Sequence, residues 1–178
     1  MKQQENNFQT LNFFHLDIFR KNINNLDFNS LIDSIYQIKN TLPSILKSNY
    51  GGYQSPNNLQ SNSIFFPLIQ IFNSINTEIT GNPNNKITSM WVNISSFGNW
   101  NAIHTHAKES LNLLSGIFYL KTPKNSGKIL FHNPIDVNHT LEIEPKEGDI
   151  LFFNSILPHM VAPNQSNEDR ISIAFNYG

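Results

Sequence analysis

The spacing of hydrophobic residues changes near residue 85, and the change divides the chain into two parts. In the first part, apolar residues recur every three or four positions in two stretches. Such spacing places them on one face of a helix. The sequence therefore predicts two amphipathic helices, one carrying Leu31, Ile35, Ile38 and Leu42, and the other carrying Phe65, Leu68, Ile69, Phe72, Ile75 and Ile79.

Capping and turn residues bound these two helices. Asp27, Asn29 or Ser30 could cap the first helix, and Pro43 limits its length. Gly81 stands where a glycine commonly follows a helix C-terminus. We expect each helix to end at these positions.

Two further segments of the first part have patterns of their own. Residues 11–19 alternate imperfectly between apolar and polar types, which predicts a strand. Residues 47–63 are polar and contain Gly51, Gly52 and Pro56, which predicts a loop.

After residue 85 the pattern is that of β-strands. Apolar and polar residues alternate in short runs, and turn-forming groups such as Lys124-Asn125-Ser126-Gly127 separate the runs. The sequence predicts eight strands, near residues 87–94, 102–106, 113–120, 128–132, 140–144, 150–153, 159–162 and 170–176.

Eight short strands favour a jelly-roll, also called a double-stranded β-helix, whose two sheets enclose a cavity. The fold class we expect is mainly β (α+β), with the N-terminal helices packed on one sheet. Because no linker or repeat interrupts the chain, residues 1–178 should form a single domain. Residues 1–85 would supply an N-terminal strand and helical support, and residues 86–178 would form the jelly-roll core.

Composition and charge narrow the possible functions. Lys and Arg total 12 against 13 Asp and Glu, a net charge of −1 without a basic run, so we expect no nucleic-acid patch. Cysteine is absent, which excludes disulfides and thiolate metal sites. No apolar run approaches the roughly 18–20 residues of a membrane helix, and the first ten residues are too polar for a secretion signal. We expect a cytoplasmic protein, in the host cytoplasm if it is viral, with no membrane partner.

Three of the six histidines form a candidate metal site. His104 and His106 flank Thr105 on a predicted strand, so their side chains point to the same face. Two imidazoles directed to one point are a common beginning of a metal site, although a His-x-His pair taken alone more often lies on a solvated face. His159 begins the seventh predicted strand and could enter the cavity opposite this pair.

The last predicted strand has two unlike faces. Arg170, Ser172, Ala174 and Asn176 share one face, and the large apolar residues between them share the other. A guanidinium inside a barrel is costly without an anionic partner. That partner is either a carboxylate of the protein or a ligand carboxylate held by Arg170 with help from the Ser172 hydroxyl.

These motifs together resemble the signature of Fe(II)- and 2-oxoglutarate-dependent oxygenases: a His-x-acid pair, a distant histidine, and Arg-x-Ser after it. The surrounding segments are similar to the prolyl-hydroxylase-like core, and more closely to a bacterial and phage branch of these oxygenases. The resemblance covers about residues 47–178. It rests on Gly51-Gly52-Tyr53-Gln54-Ser55, Trp91-Val92-Asn93, Asn101-Ala102-Ile103-His104-Thr105-His106, Ser115-Gly116-Ile117-Phe118-Tyr119-Leu120, Ser126-Gly127-Lys128-Ile129-Leu130-Phe131, Pro145-Lys146-Glu147-Gly148-Asp149 and Asp169-Arg170-Ile171-Ser172.

One position departs from the pattern of the superfamily. The usual triad has a carboxylate two residues after the first histidine, and here that position is His106. Glu109 could supply the missing acid only through a bulge, because its parity on a regular strand is opposite to that of His104. A three-histidine site is the simpler interpretation, and Ni, Zn or Cu could then compete with iron.

The resemblance implies both a mechanism and a set of site residues. It places Fe(II) on His104, His106 and His159. It implies that 2-oxoglutarate chelates the metal and that Arg170 and Ser172 hold its far carboxylate, with Asn93 and Tyr119 near this cosubstrate. With O2, such an enzyme hydroxylates a substrate and releases succinate and CO2.

The substrate and two alternative functions stay open at this stage. The substrate is a small molecule or peptide that the sequence does not identify, selected by loops at residues 47–63, 95–101 and 133–139. A cupin-like metal protein would share the barrel but would not require Arg170 and Ser172, and a non-enzymatic jelly-roll binding or structural protein would hold no metal. We expect His15, His132 and His139 not to be ligands, and the oligomeric state stays open.

Overall fold

A computed structural model describes residues 16–106, 114–136 and 138–178. These residues contain two α-helices, α1 (Phe28–Thr41) and α2 (Phe66–Thr80), and two short 3-10 turns (Leu59–Ser61 and Ser63–Phe65). They also contain eleven strands: β1 (Ile18–Asn22), β2 (Asn49–Tyr50), β3 (Tyr53–Gln54), β4 (Ile87–Ser95), β5 (Trp100–His104), β6 (Leu114–Lys121), β7 (Ile129–His132), β8 (Thr140–Ile143), β9 (Asp149–Asn154), β10 (His159–Val161) and β11 (Arg170–Tyr177).

The strands form two antiparallel sheets. The larger sheet has the order β1-β9-β6-β11-β4-β3, and the smaller has the order β2-β5-β10-β7-β8. The prediction of a mainly β fold with two sheets and few helices is confirmed. Strands β4 to β11 lie close to the eight runs of alternating residues in the sequence, because period two is the periodicity of a strand with one face buried.

The predicted loop over residues 47–63 is more structured than its polar composition indicates, and that prediction was wrong in part. Strand β2 pairs with β5 in the smaller sheet, and β3 pairs with β4 in the larger one. Gly51 and Gly52, both at positive φ (69° and 72°), join these two short strands. A Cβ on Gly52 would lie 2.7 Å from the Ile94 carbonyl oxygen, so only glycine allows the chain to cross between the sheets there.

The N-terminal strand overlaps the predicted residues 11–19 only at Ile18 and Phe19 and continues to Asn22. Strand β1 covers Ile18–Asn22 and pairs with β9, with Ile18 opposite Phe153 and Asn22 opposite Asp149. Arg20 forms a salt bridge with the Asp149 carboxylate. Asp149 of β9 therefore contributes a polar partner to this strand, which the weak alternation of the strand did not indicate. Most of the predicted segment lies outside the described residues.

Predicted capping residues bound both helices: Asp27 lies at the N-terminus of α1, and Gly81 lies at the C-terminus of α2. The Asp27 carboxylate accepts hydrogen bonds from the backbone N–H of Ser30 (3.1 Å) and from its hydroxyl (2.6 Å), and this caps the first turn of α1. Gly81 follows α2 with φ of 68°, and its N–H donates to the Thr77 carbonyl.

The helices pack on the outer face of the larger sheet. Phe72 of α2 stacks on Phe175 of β11 with ring centroids 4.5 Å apart, and it also meets Phe118 of β6 edge-on at 5.5 Å. The apolar face of β11 is therefore buried under the helices, and its other face points between the two sheets. No helix in the described ranges is long and apolar enough to span a membrane.

Candidate metal and cosubstrate site

A cavity of about 590 Å³ lies between the two sheets. Its walls come from the inward faces of β4, β6 and β11 on one side and of β5 and β10 on the other. The segment around β2 lines its mouth, where Leu46 and Tyr50 are largely exposed and Tyr50 stacks on Trp100 (ring centroids 4.5 Å apart). Of the three loops predicted to line the cavity, 133–139 contributes none of its described residues.

The three predicted histidines meet in this cavity. His104 on β5 is paired directly with His159 on β10, and their ring centroids are 4.3 Å apart. His106 lies just beyond β5, with its ring 5.2 Å from His104 and 5.0 Å from His159. One ring nitrogen from each of the three lies within 4.8 Å of the other two, a separation that a single metal ion can bridge.

Each of these rings is oriented by a hydrogen bond at Nδ1. The Nδ1 atom of His104 lies 2.7 Å from the Ala102 carbonyl oxygen, and that of His159 lies 3.0 Å from the Leu157 carbonyl oxygen. The Nδ1 atom of His106 lies 2.7 Å from the side-chain oxygen of Asn176. Since these oxygens only accept, Nδ1 is the donor in each case and Nε2 keeps its lone pair for a metal.

The surroundings keep all three imidazoles neutral. Burial, together with the neighbouring His104, lowers the pKa of His106 to about 4. Burial also lowers the pKa of His104 and, well below its ordinary value, that of His159. A histidine binds a metal in its neutral form, so the three rings are ready to bind at neutral pH.

Arg170 is a buried cation at the start of β11, with 3% of its surface exposed. Its Nη1 donates to the backbone carbonyls of Ser126, Gly127 and Ala162, and its Nη2 donates to the Ser95 hydroxyl at 3.2 Å. Burial lowers its pKa. Within the described ranges no carboxylate pairs with it, so its positive charge lacks an anionic partner.

Three polar side chains lie side by side next to Arg170. Ser172 on β11 is paired with Asn93 on β4 and with Tyr119 on β6. The Tyr119 hydroxyl and the Asn93 side-chain oxygen are buried, and neither has a hydrogen-bond partner among the described residues. Burial also raises the pKa of Tyr119, so its phenol keeps its proton. This wall of the cavity therefore offers a hydroxyl donor beside a guanidinium.

The other candidate residues do not join the cluster. Glu109 and His15 lie outside the described residues. His132 is the last residue of β7 and His139 lies just before β8, and neither lines the cavity or belongs to the three-histidine group.

Sequence analysis missed the residues that hold His106. The sequence placed Asn176 on the same face of the last strand as Arg170, but it gave no sign that this side chain contacts His106. Ser115 on β6 and Ser155 in the turn after β9 also belong to this group. No spacing along the chain brings residues 115, 155 and 176 together; only the pairing of the strands does.

Comparison with known proteins identifies the family. Residues 89–176 match the model of a protein family described as "Putative 2OG-Fe(II) oxygenase". The matched region belongs to the Fe(II)- and 2-oxoglutarate-dependent oxygenases. The prediction of the superfamily is confirmed, and an oxygenase is favoured over the cupin-like and non-enzymatic alternatives. No curated protein matches the chain in sequence.

Solved structures show that this oxygenase shares its fold with other members of the superfamily. A prolyl-4-hydroxylase from Pseudomonas putida is 14% identical, with a TM-score of 0.67 over 90% of this chain and 91% of the other. The viral collagen prolyl hydroxylase of Paramecium Bursaria Chlorella virus-1, in its 2OG complex, is 15% identical, with a TM-score of 0.65 over 90% of this chain and 94% of the other. A prolyl hydroxylase from Trichoplax adhaerens is 16% identical, with a TM-score of 0.69 over 91% of this chain and 82% of the other.

The oxygenase is therefore an oxidoreductase that uses iron and 2-oxoglutarate with O2, and the prediction of these cofactors is confirmed. The donor set suits iron: imidazole nitrogen is an established ligand for Fe(II), and in all three rings Nε2 is the nitrogen without a proton. The Ser48 hydroxyl lies 3.5 Å from Nε2 of His104.

Proposed function

We propose that His104, His106 and His159 hold the Fe(II) ion of this oxygenase through their Nε2 atoms. The convergence of three neutral imidazoles, of which His159 is buried and His104 and His106 are half-buried, is the observation that carries this assignment. Because the position of the usual carboxylate is His106, the ligand set is uncharged, and the full double charge of the metal remains for other ligands to offset.

We assign the far carboxylate of 2-oxoglutarate to Arg170, with Ser172, Tyr119 and Asn93 around it. A buried guanidinium without a carboxylate partner in the described ranges is costly unless an anion binds to it. The unpartnered Tyr119 hydroxyl can donate to the same anion. The 2-oxoglutarate dianion would thus offset both the charge of Arg170 and the charge of the metal.

Bound iron, 2-oxoglutarate and O2 supply the oxidising chemistry, which we propose hydroxylates a C–H bond of the substrate with release of succinate and CO2. The chain contributes binding, orientation and exclusion of water. Its three rings are fixed through Nδ1, and its cosubstrate pocket lies at the buried end of the cavity. The substrate, a small molecule or a peptide segment, would enter at the mouth beside Leu46 and Tyr50.

We further propose that β4 to β11 form the eight-stranded jelly-roll core and that β1, β2 and β3 extend its two sheets at their edges. Within this core one sheet has the strand order β9-β6-β11-β4, and the other has the order β5-β10-β7-β8. This distribution of strands between two sheets is the one a double-stranded β-helix requires. In this proposal residues 1–178 are one domain, residues 1–85 support the core, and the enzyme works in the cytoplasm.

Succinate formation tests this function. Protein reconstituted with Fe(II) under O2 should convert 2-oxoglutarate to succinate slowly even without its substrate, and libraries of small metabolites and peptides can then be screened for faster turnover. His159→Ala should give no succinate above the rate of free iron, whereas His132→Ala, which alters a histidine outside the cluster, should behave like the wild-type protein. Equal rates for wild-type and His159→Ala protein would refute the assignment.

A further inference from the structure

A buried network of hydroxyl and amide groups surrounds the Nδ1 side of His106. The side-chain oxygen of Asn176 lies 2.7 Å from Nδ1 and also accepts a hydrogen bond from the Ser115 hydroxyl at 2.7 Å. The Ser115 oxygen is 3.0 Å from Nδ1 and 2.9 Å from the Ser155 hydroxyl. The Asn176 amide nitrogen donates to the Ser89 hydroxyl at 2.9 Å.

This network is removed from solvent. Ser115 and Ser155 have no exposed surface, and Asn176 and Ser89 are only 3% and 4% exposed. Buried polar groups are costly unless they are satisfied, and apolar side chains of similar size could fill this space without that cost. Four polar residues whose hydrogen bonds lead to one ring nitrogen therefore indicate a specific requirement at that ring.

His106 needs such support because the sheet does not hold it. His104 and His159 lie on paired strands, and the Nδ1 of each is held by the carbonyl of the residue two positions earlier in the chain. His106 lies two residues beyond the end of β5, and its backbone N–H donates to the Ser155 carbonyl at 2.9 Å. Its ring is the only one of the three whose Nδ1 partner is a side chain.

The Asn176 amide has a defined orientation in this structure, with its oxygen toward His106 and its nitrogen toward Ser89. Its oxygen receives two hydrogen bonds, from His106 and Ser115, while its nitrogen donates to Ser89. An oxygen at this position requires the proton of His106 to lie on Nδ1, which leaves Nε2 as an acceptor. The amide is neutral, so it orients the ring without adding a charge near the metal.

We propose that Asn176 is a positioning residue, which sets the tautomer and orientation of His106 so that this histidine can replace the usual carboxylate ligand. Ser115 and Ser155 hold Asn176 and His106 in place. This inference rests on the proposed function, because it takes His106 to be a metal ligand. Loss of such an outer hydrogen bond typically weakens metal binding by about 10- to 100-fold.

The tautomer of His106 and the metal affinity of the protein, both measured in Asn176 variants, test the proposal. In metal-free protein, long-range 15N–1H NMR should show a protonated Nδ1 for all three cavity histidines. In Asn176→Leu protein, His106 should lose this single tautomer, while His104 and His159 keep theirs because backbone carbonyls hold them. Co(II) titration of the full chain should show about 10- to 100-fold weaker binding.

Two further variants separate positioning from folding. Asn176→Asp keeps an oxygen acceptor at the same place and should retain the Nδ1-protonated tautomer, with Co(II) binding as tight as in the wild-type protein or tighter. It also tests the proposal if Asn176→Leu fails to fold. Asn76→Leu makes the same change at a buried asparagine of α2 whose side chain has no hydrogen-bond partner among the described residues, and it should leave Co(II) affinity unchanged.

The outcomes distinguish this inference from the proposed function. If wild-type protein binds Co(II) and His159→Ala protein does not, the metal site stands. Wild-type affinity and an unchanged His106 tautomer in Asn176→Leu would then overturn the role of Asn176, as would weakened binding in Asn176→Asp. If His159→Ala protein binds Co(II) as well as wild-type protein, the ligand assignment itself fails.

Discussion

His104 and His159 face each other across the pairing of β5 and β10, with their ring centroids 4.3 Å apart. They lie 55 positions apart in the chain, and antiparallel pairing brings them to one point of the cavity wall. Two of the three proposed ligands are therefore held by the backbone of the smaller sheet. Strand pairing thus determines the placement of this pair directly.

Removal of a ring from this pair should abolish metal binding. His159→Ala removes one of three neutral ligands and leaves a cavity where the ring was buried. We expect no stoichiometric Fe(II) after anaerobic reconstitution, measured by elemental analysis. His132→Ala is the matched control, because His132 lies outside the cluster; it should retain one iron per chain. Loss of iron in the control alone would point to a different ligand set.

Arg170 should govern the affinity for 2-oxoglutarate and leave the metal in place. Arg170→Ala removes charge-assisted hydrogen bonds to the far carboxylate, so we expect 2-oxoglutarate to bind roughly a hundredfold more weakly or worse. Arg170→Lys keeps the charge but loses the fork and should give an intermediate affinity. Calorimetry on the iron-loaded or Co(II)-loaded protein measures both.

Pyruvate provides a ligand control for this experiment. It carries the keto-acid group of 2-oxoglutarate but lacks the far carboxylate, so its weak binding should be nearly the same in wild-type and Arg170→Ala protein. An equal loss for both ligands would mean that Arg170 supports the cavity as a whole and does not bind the far carboxylate.

The uncharged ligand set should make metal and cosubstrate binding strongly cooperative. Three imidazoles leave the double charge of the metal unbalanced, and the 2-oxoglutarate dianion would offset it. We expect saturating 2-oxoglutarate to tighten Co(II) binding at least about tenfold, and Co(II) to tighten 2-oxoglutarate binding by the same factor. His106→Asp places a carboxylate at the position where the usual triad has one. In this variant, 2-oxoglutarate should tighten Co(II) binding by a smaller factor, and Co(II) should tighten 2-oxoglutarate binding by the same smaller factor. Independent binding of the two ligands in the wild-type protein would contradict the proposed charge balance.

The salt bridge between Arg20 and Asp149 should stabilise the fold at neutral pH and fail in acid. Burial alone would raise the pKa of Asp149, but hydrogen bonds from Arg20, Asn22 and the Lys146 backbone N–H outweigh it and lower the pKa below 3.8. The stabilisation is therefore complete above pH 3.8 and is lost as the pH falls through the lower pKa of the folded state.

Replacing the Asp149 carboxylate and measuring the free energy of unfolding at several pH values tests this prediction. Asp149→Asn should lower the free energy of unfolding by about 1–3 kcal/mol at pH 7, because hydrogen bonds to a charged group are lost. The difference from wild-type protein in urea titrations should shrink as the pH approaches 3. Glu78→Gln, which removes an exposed partner of Lys21, should change stability little at either pH. A constant difference from pH 7 to pH 3 would show that the effect is not one of charge.

Local patterns predicted the elements that bury one face. The helical spacing of Leu31 to Leu42 and the alternation around Arg170 correspond to α1 and β11, because in both cases one face packs in the core. Two features of the sequence predicted that His104, His106 and His159 converge. The parity of His104 and His106 places both on one face of a strand, and the family resemblance adds His159, because the fold of that family brings these positions to one cavity.

Features made by contacts between distant segments escaped prediction. Strands β2 and β3 are only two residues long, so no periodicity could indicate them, and their partners on β5 and β4 define them. The hydrogen bonds among Ser115, Ser155 and Asn176 depend on the same kind of pairing. A single sequence gives no signal for which of its many polar residues will meet across a cavity.

The central claim is that three histidines and one buried arginine form a site for Fe(II) and 2-oxoglutarate. The most direct measurement is an anaerobic titration of the Fe(II)-loaded protein with 2-oxoglutarate, followed by visible absorption. We expect a metal-to-ligand charge-transfer band that saturates at one equivalent, that needs a much higher 2-oxoglutarate concentration in Arg170→Ala protein, and that is absent in His159→Ala protein. Iron-loaded wild-type protein that develops no such band, or a band unaffected by either substitution, would contradict the account.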